Sequence, residues 1–131
     1  MAEAGILDTS VVIDLSNIDD SRLPEQSAIT AVTLAELAAG PHATGDPIER
    51  SIRQERLQWA EATFDAVPFD IAAARSYGRV YALVRATRRQ PRSRVADLMI
   101  ASIAAARHLS LYTRNPEDFA GLDSMLTVIT I

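Results

Sequence analysis

At 131 residues and 14.2 kDa the chain has the length of one domain around one hydrophobic core, and 48% hydrophobic against 23% charged residues argues against a disordered or fibrous protein. No cysteine is present, which excludes disulfides, thiolate zinc sites, iron–sulfur clusters and cysteine nucleophiles; all 13 basic residues are arginine, which excludes Walker phosphate loops, Schiff bases and lysine general bases. The net charge of −4 hides a segregation, because Arg75 to Arg107 holds eight arginines and one acid, Asp97, while the flanks hold five arginines and sixteen acids.

The N-terminal Met1-Ala2-Glu3-Ala4 lacks a positive region, and Gly5-Ile6-Leu7 is far too short for a signal peptide or membrane span, so a cytoplasmic protein is expected. Gly5-Ile6-Leu7 reads as a strand, Asp8-Thr9-Ser10 as a cap, and Val11 to Leu15 as the helix that follows. A second strand at Ala28-Ile29 leads to a helix with Thr33 as N-cap and Glu36 in capping-box spacing, ending at Gly40-Pro41. Asp46-Pro47 opens an amphipathic helix whose stripe is Ile48, Ile52, Leu57, Ala60 and Phe64.

Ala66 to Phe69 is a brief extended segment, after which Asp70 caps a helix carrying Ala73, Tyr77, Val80, Tyr81 and Val84 at helical spacing. The turn Arg88 to Ser93 breaks it. Arg94 to Asp97 opens a helix so apolar, through Leu98, Ile100, Ala101, Ile103 and Ala104, that it must be buried. Leu109 to Thr113 and Leu126 to Ile131 are the last strands. Strands alternate with helices throughout, which predicts a single α/β domain over 1–131 with a mainly parallel sheet.

In such a sheet ligands bind beyond the carboxyl ends of the strands. Asp8 follows the first strand, Glu36 lies early in the helix after the second, and Asn115 and Asp118 follow the strand ending at Thr113. Asp97 joins them as the lone acid of the basic middle, at the start of a buried helix whose N-terminus favours a carboxylate by about 0.3–1 kcal/mol. Carboxylates gathered in one cleft repel, and they are relieved by protonation or by a cation. An all-oxygen ligand set without Cys or His points to Mg²⁺ or Mn²⁺, and metal-assisted hydrolysis of a nucleic acid is the reaction class that follows.

Asp8-Thr-Ser after a strand, Thr33-Leu-Ala-Glu36-Leu, Asp97-Leu-Met-Ile-Ala-Ser and Thr113-Arg-Asn115-Pro-Glu-Asp118-Phe119 resemble, in this order and spacing, the PIN-domain ribonucleases, and within them the VapC toxins of bacterial toxin–antitoxin pairs. The resemblance implies a three-layer α/β/α sandwich around a mainly parallel sheet of four to five strands. It implies that Asp8, Glu36 and Asp97 hold Mg²⁺, with Mn²⁺ as a substitute. It places a fourth acid at Asn115 or at Asp118; Asp118 is the favoured carboxylate, with Asn115 a neutral ligand or water-holder, and one ion rather than two is then expected. Thr9, Ser10 and Thr113 become hydroxyls that orient the carboxylates and bound water. An endoribonuclease that cuts tRNA or rRNA to arrest translation, a VapB-type antitoxin and a homodimer complete the implied picture. Arg85, Arg88, Arg89, Arg92 and Arg94, just before Asp97, offer an independent reason for RNA, since guanidinium forks bind phosphate.

Taken singly, each residue has a plainer reading: Asp8 as a helix cap, Glu36 as a capping-box partner, Asp97 as a dipole partner, Asp118 as a turn cap, and the Arg-rich segment as a solvated face. Four such coincidences at strand ends of one sheet make a poor joint explanation. His42 and His108 have no ligand spacing, Trp59, Tyr77 and Tyr81 fall on apolar stripes and read as core or dimer contacts rather than base-stacking platforms, Asp14 is a marginal extra acid, and Asp19, Asp20 and Glu25 are loop charges. Receiver domains and haloacid-dehalogenase-type phosphatases need a lysine, and a Rossmann domain needs a glycine-rich turn where Thr9-Ser10-Val11 stands. The remaining alternative is a non-catalytic module of the same fold that binds RNA or a protein.

Overall fold

The structure, a computed structural model, describes residues 3–87 and 89–131, the side chains of Arg92 and Ser93 excepted. Strand β1 (Ala4–Leu7) passes through Asp8 into the short helix α1 (Thr9–Ile13), and β2 (Gln26–Thr30) passes directly into α2 (Ala31–Ala39). Helix α3 (Pro47–Thr63) leads to β3 (Ala66–Val67), and the packed pair α4 (Ile71–Ala86) and α5 (Val95–Arg107) precedes β4 (Ser110–Thr113) and β5 (Val128–Thr130). The five strands pair in the order β3-β2-β1-β4-β5, all parallel, as expected from the alternation of elements.

The two-residue period of the strands divides the core. Ile6 and its cross-strand partner Leu111 face the α4–α5 side with Val80, Val84, Leu98 and Ile103, while Leu7 and its partner Tyr112 face the α1–α3 side with Val11, Leu37 and Ala60. Helices therefore cover both faces of the sheet, giving three layers. The near absence of a side chain at Gly5 lets the Tyr112 ring lie against β1, where its hydroxyl donates to the Glu3 carboxylate at 2.7 Å. From the central β1 the chain steps one way to β2 and β3 and the other way to β4 and β5. The carboxyl ends of β1 and β4 thus form the topological switch point, the place where ligands bind in open sheets of this kind.

The last strand is shorter than the expected Leu126 to Ile131, covering Val128–Thr130, and three further local expectations change. Thr30, not Thr33, caps α2: its hydroxyl accepts from the Thr33 N–H at 3.1 Å, so Thr33 is a buried residue of the first turn and Glu36 stands in the second turn, free of any capping role. On α3 the predicted stripe is buried only in its second half. Ile48 and Ile52 remain 73% and 45% exposed, because the first half of the helix lies against the 3-10 turn Gly40–Ala43, held by Arg50 on the Pro41 carbonyl and Arg53 on the Gly40 carbonyl. Finally, β4 begins at Ser110: His108 takes a left-handed conformation at the end of α5, and the Leu109 N–H closes on the Ala104 carbonyl, so Leu109 completes the helix stop.

Candidate active site

Asp8 is the fixed point of the site. Only 3% exposed, it caps α1 with Oδ1 accepting from the Thr9 N–H at 2.8 Å, while Oδ2 accepts from the hydroxyls of Ser10 and Thr113, each at 2.8 Å. A buried carboxylate needs such donors to remain ionised. The two hydroxyls in turn accept backbone N–H groups from the segment after β4, Arg114 on Ser10 at 3.1 Å and Asn115 on Thr113 at 3.0 Å. The ends of β1 and β4 are thereby tied through one carboxylate.

Glu36 reaches the same region from α2. Its Oε1 accepts from the Thr9 hydroxyl at 2.6 Å, and because that proton is committed, the Thr33 hydroxyl at 2.9 Å must be the donor to Thr9. Thr30 stands behind Thr33 at 3.5 Å, so a file of hydroxyls ends on the Glu36 carboxylate. Thr33, expected as the cap of α2, instead adjoins the Glu36 group; its position three residues before Glu36, on the same helix face, is the signal that identifies it.

Asp97 lies half-buried in the first turn of α5, and its pKa is raised from 3.8 to about 6. Burial is the main cause, followed by the negative charges of Asp118, Asp8 and Glu36, with Arg94 opposing. Acids from four separate segments therefore share one electrostatic environment. Asp118, in the 3-10 turn Pro116–Phe119, accepts from Arg94 at 3.0 Å. Asn115 is exposed at the head of that turn and is attached to the site through its backbone. Asp14 stands apart, paired with Arg114 at 2.8 Å and accepting from the Asn17 amide.

The predicted arginine group divides. Arg85 is exposed in the last turn of α4. Arg89 donates to the Glu117 carbonyl and Arg94 to Asp118, so both guanidiniums are engaged on the turn that carries Asp118. Arg88 and the side chain of Arg92 lie outside the described residues.

Among the described residues no three Asp, Glu or His side chains are drawn tightly enough to cage an ion; the acids face one another at electrostatic range. The donor chemistry nevertheless suits a hard divalent cation, since the set is all oxygen and three carboxylates outweigh the one arginine acting on Asp97. A bound cation would offset both the burial and the acidic neighbours that raise the Asp97 pKa.

The PIN domain family model matches residues 6–124. The chain is 38% identical over 130 residues to Ribonuclease VapC5 of Mycobacterium tuberculosis, covering 95% of this chain and 92% of that one. It is 31% identical over 132 residues to the VapC ribonuclease Y4jK of Sinorhizobium fredii, covering 90% and 93%. Among solved structures, that of the toxin–antitoxin pair VapBC-5 from Mycobacterium tuberculosis superposes with a TM-score of 0.83 at 38% identity, covering 98% of this chain and 97% of that one. VapBC2 from Rickettsia felis, at 20% identity and a TM-score of 0.74 over 98% of both chains, shares the fold.

Proposed function

The chain belongs to the PIN-domain family and resembles its VapC ribonucleases, and from that premise we propose that it is a divalent-metal-dependent endoribonuclease, the toxin of a VapBC-type pair. The observation that carries the reading is that Asp118, Asp8 and Glu36, from three other segments, all act on the half-buried Asp97 at the switch point of the sheet. Asp8, Glu36 and Asp97 would hold Mg²⁺ or Mn²⁺, with Asp118 as the fourth acid and Asn115 beside it. A divalent ion in such a site supplies charge stabilisation to phosphoryl oxygens and an acidified water as nucleophile.

The chain's own groups do the positioning. Thr9, Ser10 and Thr113 fix the lone pairs of Asp8 and Glu36 through hydrogen bonds of 2.6 to 2.8 Å, leaving the remaining Glu36 oxygen for a ligand. Arg94 holds Asp118 and, with Arg89, the turn that carries it. The substrate in this reading is a structured RNA, tRNA or rRNA, whose cleavage arrests translation in the cytoplasm; no helix among the described residues is long and apolar enough to cross a membrane. Residues 1–131 act as a single unit and pair as a homodimer. A VapB-type antitoxin is the protein partner, supported by the toxin–antitoxin assemblies among the structural relatives and by the exposed Ile48 and Ile52 on α3.

Cleavage of a tRNA and rRNA panel by the purified chain, with and without Mg²⁺ or Mn²⁺, tests the reading. Asp8→Asn and Asp97→Asn are expected to abolish metal-dependent cleavage and growth arrest in folded protein. Failure of the wild type to cut any RNA with either ion would leave a non-catalytic binding module in its place.

A further inference from the structure

Between α3 and the α1–α2 pair runs a trough that starts at the acid cluster. Its first part, a cleft of about 350 Å³, has Thr9 and Glu36 on one wall and Arg53 and Arg56 on the other. It opens, past Ile13 and Arg56, which border both parts, into a more apolar hollow of about 360 Å³ that ends at Trp59. Arg53 is committed to Glu49 at 3.0 Å and to the Gly40 carbonyl at 2.9 Å. Arg56 is half-buried, yet it has no hydrogen bond or ion pair among the described residues. Glu36 and Glu49 line the same cleft but neither pairs with Arg56 directly, so its guanidinium fork stays open to an anion that enters. One helical turn further on, Trp59 is 45% exposed, with its indole oriented by a T-shaped contact to Phe64 at 5.4 Å.

We infer that Arg56 and Trp59 form a nucleotide subsite for single-stranded RNA beside the bond that is cut, with Arg56 taking a backbone phosphate and Trp59 stacking on the base. The inference rests on the ribonuclease reading above. Four acids repel a polyanion, so a strand reaching them needs cations along its path. On the Asp118 side, Arg89 and Arg94 are spent on the Pro116–Phe119 turn; on the Glu36 side, Arg56 is uncommitted. An apolar protein segment would cover Ile13 and Trp59 but leave Arg56 unmatched, whereas a nucleotide carries both the anion and the aromatic face.

Binding of a fluorescein-labelled single-stranded RNA of mixed sequence, measured over a salt series in the Asp97→Asn background, separates recognition from cleavage. Arg56→Gln is expected to lower the slope of log affinity against log salt by about 0.7, with Arg56→Lys restoring it. Trp59→Ala is expected to weaken binding by about five-fold or more, a loss that disappears when one nucleotide beside the cut is abasic. In the active chain both variants raise KM and leave kcat unchanged. A chain that binds and cuts RNA equally well with either substitution overturns the subsite and leaves the ribonuclease reading standing. A chain that neither binds nor cuts RNA overturns both. Variants that keep full RNA binding but lose a VapB-type antitoxin assign the trough to protein and likewise overturn the proposal.

Discussion

Thr113 donates a 2.8 Å hydrogen bond to the carboxylate of Asp8 across 105 residues of sequence, and the same Thr113 hydroxyl accepts the N–H of Asn115. The hydroxyl thus bridges the acid at the end of β1 and the backbone that leads to Asp118. Ser10 repeats the arrangement with Arg114. Whatever orients Asp8 also anchors the path to Asp118, and the two acids are set against Asp97 as one assembly.

Thr113→Val keeps the shape of the buried side chain and removes the proton that Asp8 accepts. Loss of a hydrogen bond to a charged group is expected to cost about 1.5–3 kcal/mol of stability, read as a lowered midpoint in urea. Cleavage should fall further than stability alone predicts, because the Asn115 N–H is released together with Asp8. An unchanged urea midpoint would mean that water replaces the hydroxyl at no cost.

Thr9→Val tests the other hydroxyl file. Glu36 loses its 2.6 Å donor, and the buried Thr33 hydroxyl loses its acceptor. Glu36 is then free to turn, and the divalent-ion requirement is expected to rise by about 10- to 100-fold, the usual effect of removing a group that orients a ligand. Isothermal titration with Mn²⁺ checks this directly, and a wild-type affinity would show that Glu36 needs no such support.

Much of this assembly was legible in the sequence because its acids sit where an α/β sheet exposes them, at Asp8 after one strand and Asp118 after another. The order β3-β2-β1-β4-β5 was not legible, since strands of only two to five residues do not declare their neighbours. The cap at Thr30 was hidden because Thr30 and Thr33 are both good caps, and only the exit angle of β2 chooses between them. The arginine run read as one footprint for RNA, yet Arg89 and Arg94 turn inward to Glu117 and Asp118, a pairing across more than 20 residues that local charge pattern cannot reveal. Arg56 attracted no notice for the opposite reason: it has no hydrogen bond or ion pair among the described residues that a charge pattern could point to.

The Arg94–Asp118 pair has side chains 28% and 30% exposed, so its net contribution is small, about 0.5–1 kcal/mol in a double-mutant cycle of Arg94→Gln with Asp118→Asn. Its larger effect is positional. Arg94→Gln is expected to lower cleavage by freeing the Pro116–Phe119 turn, with little change in the slope of RNA affinity against salt. A slope reduced as for a phosphate contact would return Arg94 to the RNA footprint.

Asp97 carries the sharpest dependence on pH. Its pKa in the folded chain is about 6, against 3.8 for an unperturbed carboxyl, so between these values the folded chain holds a proton that the unfolded chain has lost. Stability from this group is therefore undiminished below about pH 4, falls as pH rises through the window, and stays reduced above about pH 6. Asp97→Asn removes the penalty: without divalent ions the variant is expected to exceed the wild type in stability at neutral pH by roughly 1–2 kcal/mol, a figure discounted for the partial exposure of the site. The difference should vanish by about pH 4. Mg²⁺ at neutral pH should reverse the ranking, raising the Tm of the wild type and leaving the variant unmoved, because binding to the folded state alone stabilises it by mass action. Thermal melts of both proteins across pH, with EDTA or Mg²⁺, decide the matter. A variant that is less stable than the wild type in EDTA at neutral pH would mean that Asp97 is held by attraction rather than strained by burial and by its acidic neighbours, and the proposed cation site would lose its electrostatic cause.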